Sequence, residues 1–150
     1  MADRGKALAE LPVRRGKVRD IYDLGDRLLL VFRHLPIPER HPHAQLAAEA
    51  SEAAAAQGAF WEMHDALYAA QGKLTERDLV AHAKRLGLDE KRVRADLDGG
   101  TYREHVRRDH DGGLASGVTG TPGFFANGRR LGGAFDAGSI VAALEGRDGG

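Results

Sequence analysis

The residues whose types and spacing could do chemistry lie in the segment 117–130. Gly120, Thr121 and Pro122 form a small-residue turn that ends in a proline, and the peptide bond before a proline takes the cis form at small cost. A cis-proline loop can present neighbouring backbone groups as an unpaired edge, to which an extended peptide can pair. The alternative interpretation is an ordinary loop before a hairpin.

Aromatic residues and a turn signal follow this loop. Phe124 and Phe125 suit a strand, and the Asn127-Gly128 pair favours a tight type I′ hairpin turn. Together with Trp61, the two phenylalanine rings either add apolar surface to a peptide site or pack in the core. Core packing is the more common role of such rings.

The chain contains no cysteine, which excludes disulfides, thiolate metal ligands and thiol–disulfide exchange by its own residues. His34, His41 and His43 lie close together in the sequence. However, no carboxylate pair stands near them at a matching helical spacing, so solvated or capping histidines are the simpler interpretation. His105 and His110 are poorly aligned on one helix. We therefore predict neither a metal site nor catalytic residues.

Composition sets the remaining bounds. The 150 residues suffice for one domain, or for one domain with an extra piece. Lys+Arg and Asp+Glu number 22 each, so no overall field favours nucleic acid. No apolar run reaches the roughly 18 residues of a membrane span, and no leader pattern follows Met1. We expect a cytoplasmic protein without a membrane or nucleic-acid partner.

The first third of the chain contains a predicted β-hairpin. In residues 18–23, Val18, Asp20 and Tyr22 alternate with Arg19, Ile21 and Asp23, as side chains do on the two faces of a strand. Residues 24–26 supply a turn, and residues 28–32 form a continuous apolar run. This pattern predicts a hairpin whose second strand is central in the sheet.

The pattern Gly-Lys-x-Arg-Asp-Ile-Tyr at 16–22 resembles the start of phosphoribosylaminoimidazole-succinocarboxamide synthase (SAICAR synthase), over residues 11–31. The resemblance implies a nucleotide site for ATP with Mg²⁺, in which Gly16 and Lys17 approach phosphate and Arg19 lies nearby. The alternative is a solvated basic turn. Nothing after Val31 resembles that family.

Helical patterns fill most of the remaining chain. An alanine-rich helix runs through Gln57, and a second helix has Phe60, Met63 or His64, and Leu67 on its apolar face. The last helix, over 137–146, is predicted to pack on the sheet.

Capping signals mark three more helices. Thr75 with Asp78 resembles a capping box, Asp89 caps a short helix, and Thr101 caps a longer one. Glycines are the predicted stop signals of the first two of these helices. The residues expected to face inward are Leu79, Ala83, Leu86, Val93, Leu97, Tyr102 and Val106.

Several separated matches now point to one family. Residues 32–37, 41–44 and 58–68, followed by Thr121-Pro122, resemble DsbA-like thioredoxin-fold oxidoreductases over about residues 32–146. The resemblance implies a thioredoxin-like α/β fold with an inserted helical domain at about 42–115. It also implies that Pro122 is the cis-proline that faces the redox site. The Cys-X-X-Cys helix that this family needs before Phe32 is absent, and the hairpin segment 1–31 replaces it.

These observations leave three functional hypotheses open. The favoured one is a redox-inactive DsbA-like protein that binds a peptide or protein partner at Gly120, Thr121 and Pro122 and needs no cofactor. The second is an ATP-binding fragment of a SAICAR synthase-type ligase. The third is a hybrid chain without a selected activity.

Overall fold

The computed structural model describes residues 13–14, 21–23, 27–29, 31–132 and 136–146. The chain divides into two compact units, Met1–His34 and Leu35–Gly150.

The first unit contains a three-stranded antiparallel sheet in the order β1-β2-β3. Its strands are β1 (Val13–Arg14), β2 (Ile21–Asp23) and β3 (Arg27–Leu29). Tyr22 lies opposite Leu28 in the β2–β3 pair, so the predicted hairpin is confirmed.

The prediction that the second strand of the hairpin is central does not hold among the described strands. Among the described strands β2 is central and β3 lies at an edge, because β1 pairs with the other side of β2. An apolar run indicates a buried strand but does not specify its pairing partner.

The second unit is mostly helical. Its helices are α1 (Ala44–Ala55), α2 (Phe60–Ala69), α3 (Glu76–Arg85), α4 (Glu90–Asp98), α5 (Arg103–Ala115) and α6 (Ala137–Leu144). A two-stranded antiparallel hairpin, β4 (Phe125–Ala126) and β5 (Arg129–Arg130), precedes α6. Along the chain, five helices therefore lie between β3 and β4, as the sequence predicts.

Local signals explain several of the helix ends. Thr75 and Asp78 form the predicted capping box at the start of α3, and the Asp89 side chain accepts hydrogen bonds from two backbone amides at the start of α4. Gly87, at φ +73°, follows the end of α3. The predicted cap at Thr101 is wrong: Tyr102 is the N-cap of α5 and makes no side-chain cap.

The core of this unit lies between α1, α2, α3 and α4. It is lined by alanines of α1 and by larger side chains of the other helices, which include Met63, Leu79 and Val93, all with 0% exposure. Most of the residues predicted to face inward are buried, and Tyr102 and Leu86 pack against the cluster from its margin. Helical periodicity therefore identified the buried faces correctly.

Candidate functional site

The segment 117–124 connects the end of α5 to β4, and its ends are held by specific contacts. The Val118 amide donates to the Gly113 carbonyl oxygen over 3.0 Å. Arg130 Nη1 donates to the Gly117 carbonyl oxygen over 2.7 Å, which ties the hairpin to the start of the loop. The loop is thus positioned by α5 on one side and by β5 on the other.

The Thr121–Pro122 peptide bond is cis, as the sequence predicts. Thr121, Pro122 and Gly123 are exposed. No hydrogen bond joins the Thr121 backbone to another described residue. The tip of the loop is therefore accessible, and its backbone is open to an incoming chain.

Val118 supports the loop tip from the protein side. It is buried, and a Cβ atom built at Gly123 would lie 3.1 Å from Val118 Cγ1. A side chain at this position would require the valine to shift by a few tenths of an ångström, so glycine favours the close packing. The chain is therefore packed against Val118 where it leaves the loop.

The predicted type I′ turn between β4 and β5 is confirmed. Asn127 and Gly128 both have positive φ, at 50° and 79°, and type I′ turns require this at both central residues. The Asn127 amide nitrogen Nδ2 also lies 3.4 Å from the Leu144 carbonyl oxygen in α6. The turn is thus linked to the last helix.

The hairpin register defines the direction of the backbone groups of β4. Ala126 lies opposite Arg129 and Phe125 opposite Arg130, and the Leu131 amide donates to the Phe124 carbonyl oxygen over 2.8 Å. Hydrogen-bonded and non-hydrogen-bonded pairs alternate along an antiparallel ladder, so the N–H and C=O of Phe125 point away from β5. Thr121 and Phe125 therefore present backbone groups on a continuous stretch of chain.

The aromatic residues divide between surface and interior. Phe125 is 44% exposed, and Phe124 and Trp61 are half-buried. Ala126, next to Phe125, is buried instead, as expected for alternate positions of a strand. Phe125 is thus the apolar side chain that accompanies the open backbone edge.

Helix α6 supports the hairpin and has its own cap. The Asp136 side chain accepts hydrogen bonds from the amide and the hydroxyl of Ser139, at 2.8 and 2.9 Å. The hydrogen bond from the Ser139 amide holds the pKa of Asp136 below its ordinary value. This carboxylate stabilises the start of the helix and takes no part in the loop.

Several histidines lie at ion-pair distance from carboxylates. In the part of the chain that the structure describes, no group of three or more His, Asp or Glu side chains is arranged to hold a metal ion. His105 Nε2 lies 3.7 Å from Asp109 and 4.0 Å from Glu52, which joins α5 to α1. His110 contacts its neighbour Asp111 at 3.2 Å.

Sequence reasoning missed a set of buried polar residues in the helical block. Glu49, Glu52 and His82 are all buried. Arg85 Nη2 donates to His82 Nδ1 over 2.6 Å, and His82 Nε2 lies 3.3 Å from the Lys73 carbonyl oxygen, so the ring is held as the tautomer that carries its proton on Nε2. The i, i+3 spacing of Glu49 and Glu52 was the available signal for a shared face.

The alternative nucleotide site lies elsewhere in the chain. Gly16, Lys17 and Arg19 lie outside the described residues.

Comparison with known proteins assigns most of the chain to one family model. The model for the DSBA-like thioredoxin domain matches residues 18–145. This match begins at residue 18, inside the predicted hairpin, whereas the sequence resemblance begins at residue 32. No finding supports the SAICAR synthase resemblance. No solved structure matches the chain significantly.

The curated relatives carry a different name. The chain is 46% identical to "Na(+)/H(+) antiporter NhaA 1" of Salinispora arenicola over 127 aligned residues. The aligned segment covers 85% of this chain and 20% of the relative. It is 48% identical to "Na(+)/H(+) antiporter NhaA" of Herminiimonas arsenicoxydans over 121 aligned residues. This segment covers 81% of this chain and 19% of the relative. The chain thus spans about one fifth of the length of these relatives. Among the described residues, no helix has the length and apolar character needed to cross a membrane.

Proposed function

The chain belongs to the DSBA-like thioredoxin domain family, and we propose that it is a peptide-binding member that does not exchange disulfides. Disulfide exchange requires a thiolate as the attacking group, and these 150 residues include no cysteine. One observation carries the binding role: the loop at Gly120, Thr121 and Pro122 is accessible, and the Thr121 backbone is unpaired among the described residues.

The binding mode is strand addition along the loop and β4. An extended peptide pairs its own backbone with Thr121 and with the outward N–H and C=O of Phe125. The exposed Phe125 ring adjoins this edge and contacts an apolar side chain of the peptide. Because backbone groups supply most of the contacts, the site accepts many sequences.

The names of the relatives support a proposal about the protein with which this domain works. Relatives of at least 41% identity, such as "Na(+)/H(+) antiporter NhaA 1" of Mycobacterium sp. (strain KMS), carry the name of a sodium/proton antiporter. We propose that the peptide-binding domain works together with such an antiporter. Transport itself is not assigned to these residues, because the chain covers only about one fifth of each relative.

Two substitutions at one position test the binding mode. Thr121→Ala keeps the backbone amide, whereas Thr121→Pro removes its hydrogen and retains the extended conformation that is usual before a proline. We expect the affinity for a labelled, cysteine-free unfolded peptide to be unchanged in Thr121→Ala and at least about tenfold weaker in Thr121→Pro. Equal binding by both variants would contradict strand addition.

Hydrogen exchange on the unmodified chain supplies an independent measurement. Saturating peptide slows exchange of the Thr121 and Phe125 amides if both pair with it. Arg129 serves as the internal control, because its amide already pairs within the hairpin. Protection confined to residues outside 120–125 would place the peptide elsewhere on the domain.

A further inference from the structure

Two arginines lie beside the proposed peptide edge, on the strand that pairs with β4. Arg129 and Arg130 form β5, and both are exposed. Phe125 lies directly opposite Arg130 in the ladder, and residues that face each other across an antiparallel pair have their side chains on the same face. The exposed Phe125 ring and the Arg130 side chain therefore project from one face of the hairpin.

The Arg130 guanidinium group also reaches the loop itself. Its Nη1 donates a hydrogen bond over 2.7 Å to the carbonyl oxygen of Gly117, which precedes Thr121 by four positions. Among the described residues, this carbonyl is the single side-chain hydrogen-bond partner of Arg130, and neither arginine of β5 has an ion-pair partner. Because a guanidinium group has five N–H donors, Arg130 has donors left for an acceptor on an incoming chain.

The charge of this segment is entirely positive. Residues 112–135 contain the two arginines of β5 and no lysine, histidine, aspartate or glutamate. The carboxylates on either side, Asp111 and Asp136, accept hydrogen bonds from α5 and α6 respectively. Glu145, which follows α6, has an interaction of its own. Since the formal net charge of the chain is zero, the loop and hairpin are a locally cationic part of a neutral protein.

We propose, on the basis of the peptide-binding function above, that this edge prefers acidic extended peptides and that Arg129 and Arg130 determine the preference. Backbone pairing supplies affinity but distinguishes little between peptides, so side chains beside the edge set the specificity. A peptide added along β4 lies two strand spacings, about 10 Å, from β5. Exposed charges interact over this distance at low salt.

The chemistry of the arginines favours carboxylates on the peptide. Aspartate and glutamate accept charge-assisted, often bidentate hydrogen bonds from guanidinium groups, whereas a lysine-rich peptide would be repelled by both arginines. A nucleic acid would offer phosphates to the arginines, but it has no ladder of N–H and C=O groups for the edge at Thr121 and Phe125. An acidic peptide is the occupant that uses both the charge and the backbone edge.

Three peptides of one design separate this preference from peptide binding as such. Each is labelled, capped, unfolded and free of cysteine, with the same apolar positions, and its variable positions are all Glu, all Gln or all Lys. Binding of the Gln peptide, and its weakening by Thr121→Pro, reports strand addition. The order of the three affinities reports charge selection. At about 10 mM salt we expect the Glu peptide to bind about three- to tenfold more tightly than the Gln peptide, and the Lys peptide to bind most weakly.

Variants then assign the preference to the arginines. Arg129→Gln and Arg130→Gln should each lower the ratio of the Glu-peptide to the Gln-peptide affinity by about two- to fivefold. This ratio is insensitive to a general loosening of the loop, which would weaken both peptides alike. Arg77→Gln is the matched control, since Arg77 is an exposed arginine of α3 without an ion-pair partner among the described residues, and it should leave the ratio unchanged.

Salt and charge reversal give two further readouts. At about 1 M salt, where the screening length falls to about 3 Å, the order of the three affinities should disappear while the effect of Thr121→Pro remains. Arg129→Glu keeps the backbone of β5 and reverses one charge, so it should raise the affinity for the Lys peptide and lower that for the Glu peptide.

Three outcomes would overturn the preference and leave the peptide-binding function standing. They are equal affinity for the three peptides with all of them weakened by Thr121→Pro, an unchanged ratio in both arginine variants, and an effect of Arg77→Gln as large as that of Arg129→Gln. No binding of any of the peptides at millimolar concentration would contradict the peptide-binding function and the preference together. Tighter binding of a single-stranded oligothymidylate than of the Glu peptide would assign the arginines to nucleic acid instead.

Discussion

Replacing Arg103 by alanine tests the most unusual electrostatic feature of the helical block. Glu49 of α1 is 2% exposed, and its Oε1 accepts a hydrogen bond from Gln45 Nε2 over 2.8 Å. Arg103 Nε lies 3.7 Å from the same oxygen. Oε2 is buried and has no hydrogen-bond partner among the described residues. Arg103 thus supplies a nearby positive charge to the buried carboxylate of Glu49, whose other contact is the hydrogen bond from Gln45.

The expected magnitude follows from the exposure of the two partners. Breaking a fully buried ion pair costs about 3–5 kcal/mol, and breaking an exposed pair about 0–1 kcal/mol. Glu49 is buried but the Arg103 side chain is 66% exposed, and 3.7 Å exceeds a good hydrogen-bond length. We therefore expect Arg103→Ala to lower the free energy of unfolding by about 1–2 kcal/mol.

Glu49→Leu is the complementary change. It removes the carboxylate and fills a similar volume with apolar atoms, so we expect it to be neutral or to stabilise the fold by about 1 kcal/mol. In that background Arg103→Ala should have a much smaller effect on stability, because the carboxylate that Arg103 faces is gone.

Urea unfolding followed by far-UV circular dichroism measures all four members of this cycle. Arg108→Ala is the matched control, since Arg108 lies on the same helix, is exposed, and forms no ion pair with another described residue. The reasoning is refuted if Arg103→Ala changes stability no more than Arg108→Ala. It is also refuted if Glu49→Leu destabilises the protein by more than about 1 kcal/mol, the margin expected for a well-packed replacement.

Three further predictions concern a cap, a glycine and a nucleotide. The Thr75 side chain holds the pKa of Asp78 below its ordinary value, so this carboxylate contributes stability above about pH 3.9 that is lost as the pH falls through the lower folded-state pKa; Thr75→Ala should raise the Asp78 pKa in an NMR titration. Gly100 has φ +61°, and a Cβ there would lie 2.8 Å from Arg103 Cζ, so Gly100→Ala should lower the urea midpoint, whereas Gly72→Ala, with open space around it, should not. Because the family match includes part of the N-terminal hairpin, millimolar Mg-ATP should leave the melting temperature unchanged, and a rise that Lys17→Ala abolishes would restore the ligase hypothesis.

The features that the sequence predicts well depend on short-range chemistry. The capping box at Thr75, the cap at Asp89 and the Asn127-Gly128 turn each involve residues within four positions of one another. Thr101 is the exception, because it is a suitable cap residue and yet the helix begins one residue later, after Tyr102. Helix boundaries commonly differ by one or two residues for this reason.

Features that depend on distant contacts could not be predicted in the same way. Glu49 and Glu52 are charged residues on an alanine-rich helix, where a solvent-facing position is the usual expectation. Their burial is a consequence of the packing of α5 on α1, which brings Arg103 and His105 to these side chains. The order of the described strands differs from the prediction for the same reason, because pairing of β1 with β2 is not contained in the pattern of either strand.

The loop at Thr121 and Pro122 could be identified from sequence because its supports are local as well. Val118 lies beneath Gly123, Arg130 holds the Gly117 carbonyl, and the hairpin closes through a two-residue turn, all within fourteen positions. A two-stranded hairpin alone is marginally stable in water, and here α6 packs on β4 and contacts Asn127 through the Leu144 carbonyl. The geometry that offers a backbone edge therefore arises from the described residues between 113 and 144, and this segment contains no cysteine. The absence of cysteine from this sequence and the presence of the loop are thus physically independent, and the proposed peptide-binding role requires only the loop.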